Sequence, residues 1–261
     1  MVSSSLSGIY FILCLVSHIY YKEEEMDFGK AFSFVFEDED WLKKIGITGL
    51  IMLIPILGQL AVVGWTIEVT RRVIGNDPKP LPDWDDFMGY LVSGLQVLVI
   101  GFIYMLPVIV IQGCTAGLIP LLGQSGGNDD TLMTVFSILT ACLGCITLLY
   151  AIVVGLIMPA AIGNFAAKNE LKAAFSFGEV FGMVRNNIGA YFMVFLGSIV
   201  ASFVGSLGTI ACVIGVIFTY AYAYAIIGHL TGQAYNMAVP GAGSDSGAVV
   251  GIVEPDLSAD F

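Results

Sequence analysis

The sequence predicts an all-α fold: a polytopic helical membrane protein with four spanning helices, a re-entrant hairpin, interfacial helices and a two-fold internal repeat. Three observations predict it. Hydrophobic residues make up 57% of the chain and charged residues only 12%, about half the charged share of a soluble domain. The apolar residues run in continuous blocks, and 91–128, 131–167 and 186–228 contain no Asp, Glu, Lys, Arg or His. Between the blocks lie Gly, Pro, Asn and charged residues, the usual helix stops and turn formers.

In chain order, Leu6 to Tyr21 is apolar but shorter than the roughly 20 residues a spanning helix needs. It lacks a basic lead and a small-residue cleavage site, so it is a poor signal peptide. Residues 1–25 read either as a short anchor or as a mis-called start, with translation beginning at Met26. Residues 26–237 form the helical membrane domain. Asp27 to Lys44 reads as an interfacial helix whose apolar face is Phe28, Phe32, Val35 and Phe36. An acidic step, Glu37 to Asp40, follows, and Trp41 with Lys43-Lys44 marks the headgroup zone. Gly46 to Ile67 has the length of a span, yet basic pairs flank both ends. Positive residues favour the cytoplasmic side. A helix–break–helix turning near Pro55 to Gly58 puts both ends there, and is the expected re-entrant hairpin.

The next stretch, Trp65 to Leu91, holds three of the ten Lys and Arg residues. Glu68 shares a helix face with Arg71 and Arg72. Gly75 to Pro78 stops that helix, and Pro78, Pro80 and Pro82 keep the following segment extended. Asp83 is expected to cap the next helix, with Asp86 at the N3 position and Asp85 and Asp86 at the positive end of its dipole. Trp84 falls at the membrane interface. Capping accounts for all three acids, which makes a metal site the weaker reading.

The motif Leu81-Pro82-Asp83-Trp84-Asp85-Asp86 after a basic helix end and a Pro-rich linker resembles the prokaryotic membrane proteins catalogued as domain of unknown function 4013. Met26-Asp27-Phe28-Gly29-Lys30-Ala31-Phe32-Ser33-Phe34, Ile54-Pro55-Ile56-Leu57-Gly58-Gln59 and Gly228-His229-Leu230-Thr231-Gly232-Gln233-Ala234-Tyr235 extend the resemblance. It implies a prokaryotic multi-pass membrane protein and brings no catalytic residues.

Leu91 to Ile111 reads as the first span, continuing through the GxxxG pair Gly113 and Gly117. The turn Ser125 to Asp130 lacks basic residues and is expected outside. Thr131 to Gly163 spans back. Asn164 to Asn187 carries Lys168, Lys172 and Arg185 and is expected inside. Gly189 to Leu230 reads as a tight hairpin of two spans breaking at Gly205 to Gly208. Residues 238–261 are Gly-rich and acidic and read as a disordered cytoplasmic tail. Ala31-Phe32-Ser33-Phe34 recurs as Ala174-Phe175-Ser176-Phe177, and at the same offset Ile45-Gly46 recurs as Ile188-Gly189. That is the basis for expecting two related halves.

Function is read mostly by exclusion. A net charge of −11 without a basic patch argues against nucleic acid as a partner. No P-loop, Ser-His-Asp set or HExxH occurs, so no catalytic, cofactor or metal residues are expected. Cys142 and Cys145 read as small buried hydrophobes. His229 reads as an interfacial or hydrogen-bonded histidine. Gly197, Ala201 and Gly205, spaced by four, form a helix-packing strip. The leading expectation is a non-enzymatic cell-membrane protein that packs with partner proteins or copies of itself, or organises the lipid bilayer. The alternative is a channel or transporter for a neutral or apolar solute, with a path along Gln96, Gln112 and Ser198. A membrane enzyme needs Asp83, Asp85, Asp86 and His229 to converge.

Overall fold

The computed structural model describes residues 26–124, 130–208 and 212–241. The first apolar segment, most of the Ser125–Asp130 turn and most of the tail lie outside these. Eight α-helices and one 3₁₀ turn make up the described residues, with no strand among them. They are α1 (Phe28–Glu37), α2 (Trp41–Met52), α3 (Leu57–Ile74), α4 (Phe87–Gln124), α5 (Asp130–Lys168), the 3₁₀ turn Leu171–Phe175, α6 (Phe177–Asn186), α7 (Ile188–Leu207) and α8 (Cys212–Ala238).

The expected interfacial helix is two helices. Asp27 caps α1, its Oδ1 accepting the Lys30 N–H at 2.8 Å. Asp38 then turns extended and accepts the Asp40 N–H, ending α1 before Trp41 starts α2. The acidic step is thus a helix break, because Asp side chains compete for backbone donors. The buried face of α1 is Ala31, Phe34 and Val35, while Phe36 is 57% exposed.

Pro55 separates α2 from α3, and Ile56 adopts a positive φ of 65°, rare for a β-branched residue. Leu50, Leu53, Ile54, Ile56 and Leu57 leave the turn with an exposed apolar tip. At its other end α3 closes in a Schellman motif. Asn76 takes the left-handed position (φ 53°), the Asp77 N–H reaches the Arg72 carbonyl and the Asn76 N–H reaches that of Val73.

α8 is the central helix, touching α1, α2, α3, α5, α6 and α7. Glycines set the closest approaches. A Cβ on Gly64 would overlap the Tyr90 carbonyl, and one on Gly94 that of Leu60, so α3 and α4 meet backbone to backbone. Gly228 and Gly232 do the same for α8 on α3. One apolar core lies among α3, α4, α5, α6, α7 and α8, and a second joins α1, α2, α3 and α8 through Phe34, Trp65 and Ala225.

Three helices are long and apolar enough to cross a membrane: Phe87–Gly117, Thr134–Lys168 and Ile188–Leu207. α4 has 38 residues and α5 has 39, roughly 57 Å each at about 1.5 Å per residue. Both run well past the bundle, and their outer halves expose Phe102, Leu106, Ile109, Val110, Val135, Ile138, Leu148 and Leu149. The two copies of the Ala-Phe-Ser-Phe sequence differ in local structure. Ala31 to Phe34 lie inside α1, whereas Ala174 to Phe177 run from the 3₁₀ turn into α6.

Candidate functional site

The loop from Gly75 to Asp86 folds over one end of α2, α3 and α4, and buried polar groups hold it there. Lys44 is 7% exposed. Its ammonium donates to Asp38 Oδ2 at 2.8 Å and to the Leu81 carbonyl at 2.9 Å, with Asp83 Oδ1 at 3.4 Å. Arg72 reaches the same Leu81 carbonyl at 3.5 Å and that of Lys79 at 3.3 Å. The basic positions on either side of the apolar stretch Gly46 to Ile67 therefore meet at one oxygen. Burial pushes the Asp38 carboxyl up. The Lys44 hydrogen bond, the Asp40 N–H and the charges of Lys44 and Lys79 outweigh burial and hold it below the usual aspartate value.

Two indoles fasten the loop. Trp65 Nε1–H donates to the Pro82 carbonyl at 3.1 Å, and Trp84 Nε1–H donates to Thr48 Oγ1 at 2.9 Å. The rings lie parallel with centroids 6.1 Å apart, and Tyr90 stands edge-on to Trp84 while its hydroxyl donates to the Asp83 carbonyl at 2.7 Å. The Asp83 cap is corrected. α4 starts at Phe87, and Asp86 Oδ1 accepts the Gly89 N–H at 2.9 Å. The helix starts late because Asp83 to Asp85 hold Trp84 against Trp65 instead. Arg71 has three partners: it meets Glu68 at 3.4 Å, Asn169 Oδ1 at 2.6 Å and the Ala166 carbonyl at 3.3 Å, above the Phe165 ring. Arg72 also pairs with Glu68, at 3.5 Å.

Beside this loop an open cleft of about 680 Å³ carries Glu68, Arg71, Arg72, Asp83, Asp85 and Asp86, and continues along α4 to Ser93 and Gln96. Among the described residues no three His, Cys, Asp or Glu side chains are grouped to hold a metal ion. His229 lies elsewhere, in a second cavity between α1, α8 and the loop. The acids and the histidine therefore line different cavities and are not brought together. Gln96, Gln112 and Ser198 also stay apart. Gln96 lines the cleft, Gln112 is exposed on α4, and Ser198 donates to the Val194 carbonyl of its own helix.

The packing glycines divide. A Cβ on Gly197 would strike Leu230, Gly205 faces Tyr220 and Ala223, and Ala201 is fully buried, so this strip seats α7 on α8 within the chain. Gly113 and Gly117 have nothing within 4 Å of a Cβ position. Trp41 packs edge-on against Phe36 at 5.1 Å. Cys142 and Cys145 are unpaired and exposed on α5, not buried, because that half of the helix runs past the bundle. Near the end of α5, Glu179 accepts from Lys168 at 2.6 Å and from Asn164 at 3.0 Å, and these bonds lower its pKa.

Sequence reasoning missed two features. Lys43 and Lys44 read as an equivalent pair, yet Lys43 is exposed and Lys44 buried. Trp65 read as part of an apolar run, although its spacing from Trp84 across a Pro-rich linker hinted at pairing.

Residues 47–214 match the family described as Protein of unknown function (DUF4013), over more than half of the chain. The chain belongs to this family. The DUF4013 match covers the clasped loop, the cleft and all three apolar helices, and leaves out α1 and most of α8, His229 included. No curated protein and no solved structure matches the chain.

Proposed function

We propose that this protein is a non-enzymatic integral membrane protein that gathers other membrane components, whether partner proteins or copies of itself, around α4 and α5. The observation that carries the proposal is the exposure of apolar side chains along both helices, with Leu148 at 63% and Leu149 at 65%. Such a surface is at home in hydrocarbon, and tight helix contacts there rely on small residues. Gly113 and Gly117 supply them on α4, unfilled by any described residue.

In this reading α8 is the fourth span, and α2 with α3 is the re-entrant hairpin. Its apolar tip at Leu53 to Leu57 enters the bilayer, while Lys44 and Arg72 stay together at the cytoplasmic base. The tail is then cytoplasmic too. Two measurements test this. Single cysteines at Lys30 and Lys79, in a background lacking the native five, are expected to be shielded from an impermeant thiol reagent in intact cells, and one at Gly127 labelled. Labelling at Lys30 but not at Lys79 makes Gly46 to Ile67 an ordinary span. A photo-crosslinking residue at Leu149 is expected to capture a protein in native membranes. Capture of lipid alone removes the partner and leaves the bilayer as the only neighbour.

A further inference from the structure

The cavity between α1, α8 and the Asn76–Pro80 segment has a volume of about 760 Å³. Its floor is polar and its rim is charged. On the floor, His229 is 3% exposed and packs against Phe34 with centroids 4.4 Å apart and the rings tilted by 31°. The Gln233 amide nitrogen donates to the Asp27 carbonyl at 3.0 Å and lies 3.0 Å from His229 Nδ1. Turning that amide over would set its oxygen against the Asp27 carbonyl oxygen, so the NH₂ orientation is settled. An NH₂ group has two protons, one for each partner. His229 Nδ1 is therefore an acceptor, the ring is neutral, and its proton sits on Nε2 as a free donor. Gln233 and Asn236 also line the cavity, and their buried amide oxygens find no donor among the described residues.

The rim carries one cation, Lys30, and three acids, Asp27, Glu37 and Asp77. This mixture excludes simple ligands. A bare anion meets three carboxylates. A diamine leaves the N–H of the buried His229 without an acceptor. An apolar ligand strands every polar group on the floor. A metal ion needs a cluster of ligands that is absent among the described residues.

We propose that this cavity binds a small water-soluble zwitterion of amino-acid type, its carboxylate on His229 Nε2–H and the Lys30 ammonium and its ammonium on the Glu37 and Asp77 carboxylates. Charge-assisted hydrogen bonds at both ends fix the orientation. The site adds a soluble ligand to a protein otherwise read through its membrane surface, and it stands whether or not α4 and α5 recruit partners.

The chain has two histidines, so His18→Asn leaves His229 as a unique reporter. The full-length His18→Asn protein, labelled with ¹⁵N-histidine in nanodiscs, is titrated with a mixture of the common L-amino acids other than histidine, at constant pH. Acetate and methylammonium serve as the two halves of the zwitterion. The expected result is a saturable shift of the His229 Nε2 signal with the amino acids and none with either half at equal concentration. Glu37→Gln combined with Asp77→Asn, both on the exposed rim, is expected to weaken the apparent affinity by roughly tenfold or more without changing the melting temperature. No shift with the amino-acid mixture overturns the proposal. So does an equal shift with acetate or methylammonium alone, or an affinity unchanged in the double variant.

Discussion

The clasped end of α2, α3 and α4 and the outer halves of α4 and α5 belong to one chain but obey different solvents. At the clasp, Lys44, Trp65, Trp84 and Tyr90 each send a donor to a named acceptor, and the loop Asn76 to Asp86 supplies most of those acceptors as backbone carbonyls. In the described parts of the outer halves, most side chains are apolar and exposed. The clasp satisfies its polar groups internally. The outer helices satisfy their backbone by being helical and leave their side chains to the surroundings. The difference teaches that this protein's own contacts stabilise one end, while its environment must stabilise the other.

The contrast is easiest to break at Lys44. Lys44→Met removes the ammonium that pairs with Asp38 and leaves the Leu81 carbonyl only its longer contact to Arg72, with an expected loss of about 3 kcal/mol, read by thermal unfolding in detergent. The same pair sets a pH dependence. The folded Asp38 carboxyl has a lowered pKa, so the stability it contributes is complete above the ordinary aspartate pKa and disappears as the pH falls through the lower folded value. In Lys44→Met that acid-side slope is expected to flatten, and an unchanged slope would show that Asp38 draws its charge stabilisation elsewhere.

Gly64→Ala is the next largest. The added methyl collides with the Tyr90 carbonyl, and overpacking of this kind costs roughly 1–3 kcal/mol. A variant that melts with the parent would mean α3 and α4 can separate freely. Trp84→Phe keeps an aromatic ring near Trp65 but deletes the hydrogen bond to Thr48, an expected cost of about 1 kcal/mol. Increased protease cleavage at Lys79 would report the loosened loop.

Gly113→Ala is the smallest effect and sharpens the comparison from the other side. Among the described residues nothing lies within 4 Å of a Cβ at that position, so monomer stability is expected to change by less than about 0.5 kcal/mol. A larger loss in detergent monomers would reveal an intramolecular contact, whereas a loss confined to crosslinked assemblies would locate a partner face.

By itself, the sequence determined the helical class, the apolar blocks and most of the breaks, because hydrophobic run length and Gly, Pro and Asn stops act locally. The helix break at Pro55 and the stop at Gly75-Asn76 were legible for that reason. The Asp86 cap was legible only to within one turn, since three nearby acids compete for the role and the stacking of Trp84 on Trp65 decided among them. Tertiary structure alone decided which lysine of an adjacent pair is buried, which glycines another helix fills and which polar residues share a cavity. Lys43 and Lys44 differ only in which way the helix faces. Gly64 and Gly113 differ only in whether a backbone crosses there. The physical reason is range: helix formation depends on neighbours a few residues away, whereas the Leu81 carbonyl that joins Lys44 to Arg72 is reached only when three helices and a loop have closed around it.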